Sequence, residues 1–288
     1  MKTLLSIILL LFTGDFTAAQ NTLLWEISGK GLTQPSYLFG TMHLLCADDL
    51  PQHDSLLPSM AKCRRLVIEM DEKKLGILKQ LRLVRMRGDS TLDDFLDEEE
   101  LKEVARFFAD SLGLRLSLLM NMKPALLSSL VMLHALPCEQ KQITGMEKEL
   151  KIWADSLKLK LDELETFRYQ AALFDSIPYS IQARELMYGI RNYTELREEF
   201  LQLVHLYSDQ KLDSILDIGK LEEMVAYDME GLFITTRNQN WVEKMPGMMN
   251  KNPCFFAVGA AHLPGKNGVI ALLRAAGYQV RPIIDNSN

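Results

Sequence analysis

Two short apolar runs at opposite ends of the chain each close on a glycine, and each glycine is followed three residues later by a histidine. The first is Tyr37, Leu38, Phe39, Gly40, Thr41, Met42, His43; the second is Phe255, Phe256, Ala257, Val258, Gly259, Ala260, Ala261, His262. Short aromatic and branched runs bounded by glycine read as strands. Two such strands, each with an imidazole just past its end, constrain the fold to a sheet that joins both ends of the chain. The two histidines are then expected at the same edge of that sheet, close together in space.

The remaining pattern fills in the elements. Leu23 to Ser28, with Trp25 and Ile27 on one parity, reads as an opening strand, and Gly29 to Pro35 supplies turn chemistry before the Tyr37 strand, so these two form a hairpin. Arg65 to Asp71 reads as a buried strand with an acidic end, where Glu69 and Asp71, two apart, share a face. From Glu72 the period changes to helical, with Leu75, Leu78 and Leu81, then Leu101, Val104, Phe107 and Phe108. Gln142 to Gly145 interrupts as a further strand, and residues 148 to about 248 return to helical spacing. Cys254 to Gly259 is a strand, Asn267 to Ala276 a helix stopped by Gly277, and Tyr278 to Ile284 a last strand, together a β-α-β unit. The expected fold class is α/β, or α+β by count of elements. A central β-sheet is built from N- and C-terminal segments, with a large helical insertion over about 72–248.

The chain opens with Met1 and Lys2, an apolar stretch from Leu4 to Phe12, and small residues at Thr17, Ala18 and Ala19. This pattern reads as a signal peptide over residues 1–19, leaving 20–288 as a single domain that is exported, periplasmic or secreted. The stretch is short of the roughly 20 residues that span a bilayer, so no stable membrane insertion is expected after cleavage. A net charge of -6 argues against nucleic acid as a partner, and nothing reads as a polybasic membrane patch. Of the four cysteines, Cys46 and Cys138 fall in loops and are the pair expected to be bridged, whereas Cys63 and Cys254 border strands and read as buried thiols.

Ligands of open α/β sheets bind beyond the carboxyl ends of the strands. Four expected strands end there in ionisable groups: His43, the Glu69 and Asp71 pair, Glu147, and His262. Two imidazoles with carboxylates suit a divalent transition metal, which lowers the pKa of a bound water to about 7. His53, His134 and His205 lack this context and read as structural or surface residues. There is no H-E-x-x-H, no G-x-S-x-G, and Gly259 to Lys266 has the wrong glycine spacing for a phosphate loop. Arg237 and Asn238 form a further polar pair, either a helix cap with a solvated arginine or a clamp for a substrate carboxylate or carbonyl. The acidic run Asp93, Asp94 and Asp97 to Glu100 reads as a helix N-terminus, and Met245, Met248 and Met249 as packing residues.

Leu24-Trp25-Glu26-Ile27-Ser28, Ser36 to His43, the Glu69 strand, Gly145-Met146-Glu147, Thr236-Arg237-Asn238 and Ala257 to Leu263 together resemble the TraB/GumN family. That family is related to the Tiki metalloproteases and, more distantly, to erythromycin esterases and ChaN-like haem-binding proteins. The resemblance covers nearly the whole mature chain. It implies an α/β core with a helical insertion and, for the Tiki branch, a divalent-metal peptidase. Its metal ligands map to His43, Glu69 and His262, with Glu147 and Arg237 as partners. Met146 departs from the leucine expected there. The reading is a metal-dependent hydrolase of peptide or small-molecule substrates using Mn, Co or Zn, with Glu147 or Asp71 as general base. A haem- or metal-binding protein without turnover, and a metal-free histidine-based esterase, are the alternatives.

Overall fold

The computed structural model describes residues 21–218 and 230–284; the expected signal peptide lies outside them. Among the described residues eight strands are formed: β1 (Leu24–Ser28), β2 (Ser36–Thr41), β3 (Leu45–Cys46), β4 (Arg65–Ile68), β5 (Ile143–Thr144), β6 (Lys160–Glu163), β7 (Cys254–Gly259) and β8 (Gln279–Pro282). Six make the central sheet in the order β6-β4-β7-β2-β1-β8, and β3 pairs with β5 separately. The contacts β6-β4, β4-β7 and β7-β2 are parallel, and β2-β1 and β1-β8 antiparallel. β2 is buried along its whole length and β7 nearly so, which is why both read as continuous apolar runs rather than alternating ones.

The helices used below are α1 (Leu56–Ala61), α2 (Ile77–Leu83), α3 (Glu98–Leu112), α4 (Pro124–Ala135), α5 (Met146–Ser156), α6 (Phe167–Phe174), α7 (Tyr179–Arg191), α8 (Tyr193–Ser208), α9 (Leu212–Ile218), α10 (Thr236–Met249) and α11 (Val269–Ala275). One apolar core joins the sheet, through Ile27, Phe39, Val67 and Phe256, to Leu150 of α5, Tyr207 of α8, Trp241 of α10 and Leu273 of α11. A second lies within the insertion, where Val104 and Phe108 of α3 meet Leu127 of α4 and Leu186 of α7. Asp97 caps α3 and forms a capping box with Glu100, as the acidic run suggested.

The structure revises several expectations. The segment 148–248 is not wholly helical: Lys158 takes a left-handed φ of 57° after α5 and turns the chain into β6, an edge strand of the central sheet. β6 is charged and partly exposed, as edge strands commonly are, and so carries no apolar signature. The Gln142–Gly145 strand is confined to Ile143–Thr144 and pairs with Leu45–Cys46 outside the central sheet. The β7-α11-β8 unit is parallel, yet β2 and β1 lie between its strands. The acidic strand stops at Ile68, so Glu69 and Asp71 do not share a strand face. Cys46 and Cys138 are bridged, and Cys63 and Cys254 are buried and free. None of the described helices is long and apolar enough to cross a membrane.

Candidate functional site

Four parallel strands deliver their polar residues to one edge. β2 and β7 are neighbours with Thr41 opposite Gly259, so the turns that follow carry His43 and His262 side by side. On the other side of β7, Ile68 of β4 lies opposite Ala257 and Glu163 of β6. Glu69 and Glu165 follow, joined by a backbone hydrogen bond of 2.9 Å from Glu165 N to Glu69 O.

His43 is paired with Glu147. Its Nδ1 lies 2.9 Å from Glu147 Oε1, which also accepts a hydrogen bond from Thr41 Oγ1 at 2.5 Å. This arrangement depends on Gly145, because a Cβ there would lie 2.2 Å from the carbonyl oxygen of His43. With no side chain, the backbone passes against His43, Met146 N bonds to Met42 O at 3.0 Å, and the first turn of α5 swings Glu147 onto the ring. The Glu147 hydrogen bond lifts the pKa of His43, an exposed side chain, to about 9. Burial pushes the Glu147 carboxyl up, but His43 and Thr41 overcome it and hold it below the usual carboxylate range.

Arg237, on the first turn of α10, stands at the centre of the buried half. Its Nη2 bonds Glu69 Oε2 at 2.5 Å and Glu165 Oε1 at 2.6 Å, and its Nε bonds Glu165 Oε1 at 2.9 Å. Nη1 reaches the Phe233 carbonyl and His262 Nε2, both at 3.1 Å. A guanidinium has five N–H donors, and these contacts engage all five. The arginine is therefore neither a solvated cap residue nor a clamp with a donor to offer a substrate. Glu69 also accepts from Gly259 N at 2.7 Å and Gln170 Nε2 at 3.0 Å. Burial alone would raise its pKa, but Arg237, the two histidines and the Gly259 amide bring it down to about 2.

The tautomer of His262 follows from its neighbours. Asn238 Nδ2 donates to the carbonyls of His262 and Asn267, so Oδ1 is the atom facing His262 Nδ1 at 2.7 Å, and that nitrogen carries the proton. Nε2 is then a lone-pair acceptor, consistent with the Arg237 donor on it. Burial, with Arg237 and His43 nearby, lowers the His262 pKa to about 3 despite Glu69, so the ring is neutral. Trp241 packs on the ring at 4.4 Å between centroids and donates its indole N–H to Glu165 Oε2 at 2.9 Å.

The structure thus brings together His43, Glu69, Glu147, Arg237, Asn238 and His262. Asp71 serves elsewhere, capping a 3-10 turn by accepting from Lys73 N at 3.2 Å. Reading the sequence missed Glu165, Gln170 and Thr41; Glu165 follows the unrecognised edge strand, where Leu157, Leu161 and Leu164 satisfy a helical spacing equally well. His53 is structural, its ring bonded to Ile283 O at 3.1 Å and Ser55 N at 3.2 Å.

His43, Glu69, Glu147 and Arg237 line one end of a pocket of about 940 Å³ whose other walls include Ile68, Leu83, Val84, Phe167, Phe174 and Phe233. That is large enough for a drug-sized or oligomeric ligand.

The donor types suit a divalent transition metal. Both histidines are tied through Nδ1 to an oxygen acceptor, Glu147 for one and Asn238 for the other, as metal-ligating imidazoles usually are. Glu69 is ionised, and its Oε1 lies 3.9 Å from His262 Nε2. Among the described residues no group of three or more His, Cys, Asp or Glu side chains has closed to ligating distance, and Arg237 shares His262 Nε2. A model of the TraB/PrgY/gumN family matches residues 23–282. No curated protein and no solved structure matches the chain.

Proposed function

This chain belongs to the TraB/PrgY/gumN family, and from that premise and the site geometry we propose that it is a metal-dependent hydrolase of peptide or small-molecule substrates. The observation that carries the reading is the matched anchoring of the two Gly-x-x-His imidazoles through Nδ1 beside the ionised Glu69, with Nε2 of His43 left for a ligand and Nε2 of His262 an acceptor that a metal would take over from Arg237.

His43, Glu69 and His262 would hold Mn, Co or Zn. When bound, such an ion supplies Lewis acidity and lowers the pKa of a water. The protein's own residues do the rest. Glu147 orients His43 and is the carboxylate of the pocket lining that would take a proton. Asn238 holds His262 in the tautomer whose Nε2 accepts. Arg237 balances Glu69 and Glu165, keeping both ionised in a buried setting, and acts through them as a positioning residue.

The His43–Glu147 pair also favours a second reading. An imidazole oriented by a carboxylate and open to a pocket is a general acid or base in its own right, which makes a metal-free hydrolase. One experiment separates the two: elemental analysis and peptide hydrolysis, before and after exhaustive chelation, for the exported chain and its His43→Ala variant. About one divalent ion per chain, with hydrolysis lost on chelation and restored by Mn, Co or Zn, supports the first reading. Hydrolysis that survives chelation but not His43→Ala selects the second, and hydrolysis indifferent to both sinks the two together.

A further inference from the structure

Residues 73–88 read Lys-Lys-Leu-Gly-Ile-Leu-Lys-Gln-Leu-Arg-Leu-Val-Arg-Met-Arg-Gly, six cations without a carboxylate, in a chain of net charge -6. All six are exposed. Lys74 pairs with Glu163 and Arg87 with Asp175; for Lys73, Lys79, Arg82 and Arg85 no ion pair is formed among the described residues. The same segment contains α2, whose Ile77, Leu78 and Leu81 are 65%, 73% and 45% exposed. At 3.6 residues per turn these three fall within about 100° of one another, with Arg82 beside them. Leu118 and Ile152 are exposed too, but only here do three large exposed aliphatic side chains share one helix among the described residues, in a segment with unpaired cations.

We propose that this segment, with Ile77, Leu78 and Leu81 on one helix face, Arg82 at the edge of that face and Lys73 and Lys79 exposed on the same segment, docks the protein on an anionic phospholipid surface. Aliphatic groups enter the headgroup–acyl boundary while lysine and arginine reach the lipid phosphates, and neither half of the pattern is explained by the other alone. Nucleic acid would use the charge but leave the aliphatic face in water. The excess of cations is local to residues 73–88 and is hidden in the whole-chain charge of -6. Docking here needs no spanning helix. The segment continues into Leu83 and Val84, which line the 940 Å³ pocket, so the docking segment forms part of the pocket wall.

The test is co-sedimentation of the exported chain, its N-terminus read by mass spectrometry, with vesicles of phosphatidylcholine alone and of phosphatidylcholine mixed with phosphatidylglycerol. At least about tenfold stronger partition to the anionic vesicles is expected, weakening as salt rises. Leu78→Ser and the double charge reversal Lys79→Glu, Arg82→Glu should each lower it by about tenfold or more, with circular dichroism unchanged. Residues 1–19 are the same in every variant, so they do not account for a difference among them. Equal partition to both vesicle types, or variants that bind like the parent, would overturn the proposal. So would a dimer in sedimentation that Leu78→Ser dissolves without vesicle binding, since the occupant would then be a second copy of the chain.

Discussion

Asn238 Oδ1 lies 2.7 Å from Nδ1 of His262, and this contact decides which imidazole nitrogen carries the proton. Replacing the side chain removes the acceptor of the Nδ1 proton and leaves Arg237 alone to hold the tautomer and the ring. Asn238→Ala is expected to lower divalent-metal affinity by about 10–100-fold, read by calorimetric titration with Mn or Zn. An unchanged affinity would remove Asn238 from the positioning role.

Arg237 is the counter-charge for two buried carboxylates, Glu69 and Glu165. Arg237→Met strands both, and breaking a buried pair from one side costs about 3–5 kcal/mol. Urea unfolding should show that loss, and the double variant Arg237→Met, Glu165→Met should recover part of it. A single-variant loss below about 1 kcal/mol, the scale of an exposed pair, would contradict the burial argument.

The His43–Glu147 pair gives the metal-free protein a pH signature. The folded-state pKa of about 9 stands above the ordinary 6.5, so the stabilisation from this pair is present in full below pH 6.5. It fades as the pH rises through 9. In Glu147→Gln, the His43 titration followed by NMR should move down toward its ordinary value; a titration that stays put would mean Glu147 is not the partner that raises it.

Gly145 is required for space, since its φ of -153° is ordinary extended backbone. A methyl group there meets the His43 carbonyl at 2.2 Å. Gly145→Ala is expected to destabilise by about 1–3 kcal/mol through overpacking, and to lose more activity than stability because Glu147 moves off His43. Gly247→Ala, where an added Cβ meets nothing within 4 Å, serves as the contrast. Inside α10 it should be stabilising, by about 0.5–1 kcal/mol. Equal melting temperatures for the two variants would defeat the argument.

What the sequence determined by itself is the centre of the sheet and the histidines on it. β2 and β7 are buried on both faces, so their residues must be apolar without interruption, and the glycine and histidine after each stand out against that background. Two neighbouring parallel strands then bring residues 219 positions apart to one edge, as the doubled pattern implied. The same continuity exposed β4 and with it Glu69. What only the tertiary structure decided is how the charges pair. β6 is a charged edge strand whose leucine spacing suits a helix as well as a strand, so Glu165 could not be placed beside Glu69. Arg237 read as a clamp or a cap because the engagement of its five donors depends on four acceptor atoms from Glu69, Glu165, Phe233 and His262, in no pattern that a linear reading can see. Apolar burial is a property of each strand and leaves its mark in composition. Ion pairing is a property of neighbours brought together by the fold, and the residues that neutralise one another carry no mark of their partner.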